Sequence, residues 1–100
     1  MNPAAEIVIP ETGMSKKLLV QANGARVMGF GFAAGHALKE HTAPGDVILY
    51  FVDGEAEVTL SGSPQVVGSG SMLHIPARLP HSVRAVTPVK MLLTLLPTAA

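Results

Sequence analysis

Histidines are the residues of this chain whose chemistry could define a site. There are four of them, and all lie between positions 36 and 81: His36, His41, His74 and His81. Neutral imidazole is a common metal ligand, and its unperturbed pKa of about 6.5 suits it to general acid and base catalysis. The sequence contains no cysteine, which excludes disulfides, thiolate catalysis and cysteine-ligated zinc. The chemistry to consider is therefore that of imidazole, alone or beside carboxylates.

Short apolar segments separated by turn residues must position these histidines. Eight prolines and ten glycines punctuate the chain, and almost no segment shows a helical period. The pairs Asn23-Gly24 and Asp53-Gly54 are typical of tight hairpins. Ten short strands are predicted, over residues 6–9, 17–21, 26–34, 36–42, 47–52, 55–60, 65–67, 72–75, 81–86 and 90–96. Such a succession of strands and turns predicts an all-β sandwich or barrel.

Composition narrows the class of protein. One hundred residues, about half of them hydrophobic, predict one domain over residues 1–100. Seven basic and seven acidic side chains cancel without forming a charge run, so neither nucleic-acid nor membrane-surface binding is expected. Residues 1–6 lack the features of a signal peptide, and no apolar run approaches the roughly 20 residues that span a bilayer. We therefore expect a soluble cytoplasmic protein.

Two stretches resemble the paired motifs of the cupin superfamily. In residues 35–54, a glycine is followed after five residues by His41, and the stretch ends on a second glycine at the family's spacing. In residues 70–81, a glycine is followed after five intervening residues by Pro76, and His81 closes the motif. On this resemblance the chain is identified as a small single-domain cupin of the conserved-barrel type 2. The resemblance implies a jelly-roll β-barrel of short antiparallel strands.

The chain departs from the family pattern at three positions. Ala43 stands where the first motif has a second histidine, and Val47 stands where it has a glutamate. Arg78 replaces a glycine of the second motif. Cupin metal sites normally have three imidazoles and one carboxylate, so this motif is degenerate and keeps only His41 and His81. The resemblance then implies either one divalent transition metal (zinc, nickel, iron, manganese or copper) or no metal at all.

His74 and His36 are the candidates for a third ligand. His36 lies five residues before His41, so an unbent strand would place the two on opposite faces. His74 lies seven residues before His81 across a turn, so the alternation of side chains along a strand cannot predict which face it occupies. Glu40, next to His41, is expected to face the other way. The alternative is that His41 and His81 form a pair at the barrel mouth with no metal.

Three functions follow from these observations. The first is a small-molecule-binding module, with His41 and His81 as polar groups beside an apolar barrel pocket lined by Val47, Leu49, Phe51 and Val83. The second, implied by the resemblance, is a metal-dependent oxygenase or isomerase acting on a small organic acid or sugar. The third is a metal-independent isomerase or epimerase with one of the two histidines as general base. The missing ligands favour the first function. The resemblance also implies a homodimer joined through sheet edges or N-terminal strands.

Overall fold

The chain forms two antiparallel β-sheets that pack face to face. A computed structural model describes residues 1–98, within which there are one short helix and nine strands. The elements are α1 (Pro3–Glu6), β1 (Met14–Ala22), β2 (Ala25–Phe32), β3 (Ala37–His41), β4 (Val47–Asp53), β5 (Ala56–Leu60), β6 (Ser63–Val67), β7 (Met72–Ile75), β8 (His81–Ala85) and β9 (Val89–Leu95). One sheet has the order β1-β2-β9-β4-β7 and the other β3-β8-β5-β6. The predicted all-β jelly roll of short antiparallel strands is confirmed.

Residues 99–100, the end of the predicted 1–100 domain, lie outside the described residues. Over the described part, no helix has the length and apolar character required to cross a membrane.

Alternating side chains of the strands build the core. In β4, Val47, Leu49 and Phe51 are at most 2% exposed, whereas Ile48 and Tyr50 between them are half-buried. The opposite sheet contributes small and branched side chains from β5 and β8. Burying one large apolar side chain stabilises the fold by about 1.5–3 kcal/mol. The buried core consists of Phe30, Phe32, Val47, Leu49, Phe51, Ala56, Val58, Ile75, Val83, Ala85, Val89 and Met91.

The N-terminal segment differs from the sequence prediction. Residues 6–9 were predicted as a strand, but α1 ends at Glu6 and the chain then crosses β2 without joining a sheet. The side chain of Asn2 accepts a hydrogen bond of 3.0 Å from the Ala4 amide, and a proline begins the helix, both of which favour a helical start. The segment lies so close to β2 that a methyl group on Gly31 would overlap the Val8 carbonyl oxygen. The close approach of the two backbones therefore requires a glycine at position 31.

The first hairpin forms where the sequence predicts it. Asn23 and Gly24 have φ angles of 51° and 81°, as the two central residues of a type I′ turn require. β1 begins at Met14, three residues before the predicted start at 17, because residues 14–17 continue the pairing with β2. The result is a long edge strand on the five-stranded sheet.

Candidate functional site

His41 and His81 face each other on neighbouring strands. His41 ends β3, His81 begins β8, and the two are direct partners in the ladder between these strands. Their ring centroids are 4.2 Å apart, and the ring planes are tilted by 60°. The structure therefore brings together the two histidines of the cupin-like motifs.

A β-bulge in β3 turns His41 toward its partner. Leu38 pairs with Val83 and His41 pairs with His81, so three steps along β3 match two steps along β8. Val83 is buried in the core, which places Leu38 on the inner face as well. Strict alternation would turn a residue three positions later outward, and the extra residue restores His41 to the inner face. The bulge therefore brings the ring of His41 next to the ring of His81.

Both rings are fixed by nearby backbone. The Nδ1 atom of His41 lies 2.9 Å from the Lys39 carbonyl oxygen, and the Nδ1 atom of His81 lies 2.9 Å from the Leu79 carbonyl oxygen. Because a carbonyl oxygen can only accept, each Nδ1 carries the hydrogen and donates it. In a neutral ring held in this way, the Nε2 atom keeps its lone pair. In this form imidazole accepts a hydrogen bond or ligates a metal.

The Nε2 atom of His81 is buried and unpaired. The residue is only 2% exposed, and this atom has no hydrogen-bond partner within residues 1–98. Burial lowers the pKa of His81 below its usual value, and repulsion from His41 lowers it further, against the opposing effect of the bond to Leu79. His81 is therefore neutral at physiological pH and has a free acceptor. Buried polar atoms are nearly always paired, so this atom requires an explanation.

His74 lies on the outside of the molecule. It pairs with Ile48 in the β4–β7 ladder, beside the buried partners Val47 and Ile75, so it faces away from the core. Its Nε2 atom lies 2.8 Å from Oδ2 of Asp46, and the two side chains are 58% and 43% exposed. The structure does not bring His74 to the His41–His81 pair.

His36 and Glu40 do not complete a ligand set. The ring of His36 stacks on Phe32 at 6.2 Å between centroids, and Glu40 is exposed. Across residues 1–98, no three histidine, aspartate or glutamate side chains are grouped so that they could hold a metal ion. The site therefore fits a metal ion only in part. It offers two imidazole donors, whereas stable metal sites usually have three or four protein ligands.

Two of the three positions that differ from the family pattern lie in the core or pack against it. Val47 is 2% exposed, and Ala43 packs against the core cluster. The other three side chains predicted to line an apolar pocket are equally buried, at 0–2%: Leu49, Phe51 and Val83. Side chains with so little accessible surface enclose no water-sized space between them, and a ligand would need more room than that. A ligand would instead reach the histidines from the rim, where His41 is exposed.

An open cleft of about 660 Å³ lies between the loop that follows β3, the turn that precedes β8 and the chain after β9. Residues 44–46, 77–78 and 96–98 line it. Asp46 joins two of these segments, because its Oδ1 accepts a hydrogen bond of 3.0 Å from the Ala77 amide. Sequence reasoning missed the cleft because its three segments are far apart in the chain. The only signal was Arg78 in place of a glycine.

The fold and the site define a small β-barrel domain with a histidine pair at one end. The sequence model of the cupin domain family matches residues 30–95 of this chain. The chain therefore belongs to the cupin family.

Solved structures agree with this family. A conserved protein of unknown function from Streptococcus pyogenes is 28% identical with a TM-score of 0.91, over 100% of this chain and 88% of that one. A cupin superfamily protein from Desulfitobacterium hafniense is 26% identical with a TM-score of 0.89, over 94% and 86%. A cupin 2 conserved barrel domain protein from Leptotrichia buccalis is 32% identical with a TM-score of 0.87, over 93% and 45%. No curated protein sequence matches the chain significantly. The ligand therefore has to be argued from the site.

Proposed function

We propose that this cupin domain binds a small molecule at the His41–His81 pair. The observation that supports the proposal is the buried Nε2 atom of His81, which has no partner within residues 1–98. An unpaired buried acceptor costs about 1–3 kcal/mol, and a ligand that donates a hydrogen bond to it removes this cost. Exposed His41, 4.2 Å away between ring centroids, supplies a second contact at the rim.

The chemistry of the pair selects the class of ligand. The Nε2 atom of neutral His81 is an acceptor, so the ligand must present a hydroxyl or N–H group to it. The space behind the pair is filled by the core, which favours a ligand that reaches the rings with one polar end. Hydroxy acids and sugars have such groups, and they are the compounds to test first.

An NMR titration tests this proposal. Small hydroxy acids and sugars are added while the imidazole signals of all four histidines are followed. A true ligand shifts the signals of His81 and His41 and leaves that of His74 in place. His41→Ala weakens binding about threefold to tenfold, as expected for one lost hydrogen bond, and His74→Ala is the matched control that leaves it unchanged. A screen in which no compound of either class shifts the His81 ring contradicts the proposal.

A metal-dependent site is the second candidate, and the orientation of the rings supports it. Metal-ligating histidines usually donate their other ring N–H to a carbonyl or carboxylate, as both Nδ1 atoms do here. His41 and His81 would hold one divalent ion of zinc, nickel, iron, manganese or copper through Nε2. Such an ion would polarise an oxygen atom of a bound organic acid or sugar, which is the chemistry that an oxygenase or isomerase activity requires.

Metal analysis separates the two candidates. The purified protein is equilibrated with each of the five ions, and the bound metal is measured after gel filtration. A stoichiometric ion that is lost in both His41→Ala and His81→Ala, and retained in His74→Ala, supports the metal site. An ion that survives both substitutions contradicts it. If the protein retains no ion, the result contradicts the metal site and supports a metal-free binding site at the histidine pair.

We also propose that the protein is a homodimer joined through β1. This strand is an edge of the five-stranded sheet, and Met14, Leu18 and Val20 on it are 36–46% exposed. An exposed edge with apolar side chains readily pairs with a second strand. Leu18→Lys is expected to reduce the mass measured by light scattering to that of a monomer, whereas Val66→Lys on the edge strand β6 leaves it unchanged. A wild-type monomer at all concentrations contradicts this proposal. The cytoplasmic location stays a prediction.

A further inference from the structure

The turn before β8 holds an arginine in a conformation suited to glycine. The Leu79 amide donates to the Pro76 carbonyl at 3.2 Å, which closes a β-turn, and Arg78 in its third position has a φ of 66°. A positive φ at this position is typical of a type II turn, where glycine is preferred. The other non-glycine residues with positive φ in residues 1–98 are Asn23 and Ser61, and both precede a glycine in a two-residue hairpin turn.

Contacts on both sides hold this turn in place. The Arg78 amide donates to the Ala43 carbonyl at 2.8 Å, and the Ala77 amide donates to Oδ1 of Asp46 at 3.0 Å. The turn is therefore anchored to the loop that follows β3 and cannot relax to a more favourable φ. Strain that is maintained in this way is concentrated at ligand sites. Glycine would fit this backbone conformation better than arginine does. The reason for an arginine at this position therefore lies in its side chain.

The charges around Arg78 leave it available to an anion. It lines the cleft of about 660 Å³ and makes no salt bridge within residues 1–98. Asp46, which also lines the cleft, already accepts from the Ala77 amide through Oδ1 and lies 2.8 Å from His74 Nε2 through Oδ2. Pro44, Leu96 and other apolar groups form much of the remaining wall.

We propose that this cleft is an anion site in which the Arg78 guanidinium binds the carboxylate of a small organic acid. A guanidinium matches the two oxygens of a carboxylate in a bidentate pair. The volume lies within the range of about 300–1,000 Å³ that is usual for small-molecule sites. A single negative charge is favoured over a dianion because the fixed charge of Asp46 stands in the same cleft. The apolar wall at Pro44 and Leu96 favours an acid with an apolar body.

Benzoate, acetate and inorganic phosphate are the probes of this site. Each is titrated into the ¹⁵N-labelled protein, and the backbone amide signals are followed. Benzoate is expected to shift the amides of Gly45, Ala77 and Arg78 to saturation, and to bind more tightly than acetate because of its ring. Saturation without shifts at these three amides, or no saturation, overturns the proposal. Phosphate binding more tightly than benzoate overturns the assignment to a carboxylate.

Substitutions separate this site from a structural role and from the histidine pair. Arg78→Gly and Arg78→Gln are expected to weaken benzoate binding by about tenfold or more, because a charge-assisted pair is lost. Arg78→Gly should melt at the wild-type temperature or above it, since glycine accepts the positive φ. Arg84→Gln, which removes the same charge from the outer face of β8, and His41→Ala should both bind benzoate as the wild type does. Wild-type binding by Arg78→Gly, or loss of binding in His41→Ala, overturns the proposal.

Discussion

His81 and His74 are seven positions apart in the sequence and lie on opposite faces of the barrel wall. His81, at the start of β8, is 2% exposed and its Nε2 atom has no partner within residues 1–98. His74, on β7, is in water and its Nε2 atom lies 2.8 Å from a carboxylate oxygen of Asp46. The same imidazole thus becomes an available buried acceptor at one position and an exposed partner of an anion at the other.

The difference shows that the environment, and not the residue type, assigns the chemistry. An exposed ion pair contributes about 0–1 kcal/mol, because water already solvates both groups. A buried polar atom without a partner costs more than that, and the cost is recovered only when something binds. Among the described residues the candidate site is therefore at His81, and His74 serves as its internal control. Four substitutions or conditions can break this comparison.

Placing a carboxylate at each position should give the largest difference. His81→Asp puts a carboxylate at a buried position beside the exposed ring of His41, so we expect the free energy of unfolding to fall by about 3 kcal/mol. His74→Asp stays in water, and its repulsion of Asp46 should cost less than about 1 kcal/mol. Urea denaturation at pH 7 measures both. Equal losses in the two variants would show that His81 is not buried as described.

Acidification should destabilise the fold through His81. Burial holds the pKa of folded His81 below its usual value of 6.5. Below about pH 6.5 the unfolded chain therefore binds a proton that the folded chain does not, and stability falls as the pH falls toward the folded pKa, by at most about 1.4 kcal/mol per pH unit.

Urea denaturation between about pH 7.5 and 5.5 tests this dependence, with those limits chosen to span about one unit on each side of the histidine pKa. The wild-type stability should fall more steeply on acidification than that of His81→Leu, which cannot be protonated. An unchanged slope in His81→Leu would contradict the lowered pKa.

The sequence predicts the fold well because its signals are local. Asn23-Gly24, the punctuating prolines and the apolar runs set strand ends and hairpins through nearest-neighbour chemistry. The pairing of His41 with His81 follows from the resemblance to the cupin motifs. The inward direction of His41, however, depends on a bulge that no residue type in β3 predicts. Likewise, His74 faces outward because of its register with Ile48, which alternation could not fix across a turn.

The remaining errors have the same physical origin. Val47, Leu49, Phe51 and Val83 were expected to line a pocket, but whether apolar side chains enclose a space or fill it depends on how two sheets pack, not on their identity. The helix at Pro3–Glu6 was missed because four residues are too few to show a period, although Asn2 and Pro3 are good starting residues. Long-range packing decides these features, and the sequence records it only indirectly.

Removing Asp46 should have an intermediate effect. Asp46→Ala loses both the hydrogen bond from the Ala77 amide and the contact with His74, so we expect a loss of about 1–2 kcal/mol in the free energy of unfolding. Asp46→Asn keeps an oxygen that accepts from the Ala77 amide and should lose less than half as much. Thermal and urea denaturation of the two variants measure the difference. An equal loss in both would mean that the charge, and not the hydrogen bond to the turn, is what matters.

The smallest effect is expected for the contact between His74 and Asp46 itself. His74→Gln should change the free energy of unfolding by less than about 0.5 kcal/mol, because the site is exposed and salt screens it. A double-mutant cycle of His74→Ala and Asp46→Ala should give a coupling of about 0.2–1 kcal/mol that decreases when salt is added. A coupling that is insensitive to salt and as large as the loss in His81→Asp would mean that the outer pair is a buried element of the fold. In that case burial would no longer distinguish the two histidines, and the assignment of the binding site to His81 would lose its physical basis.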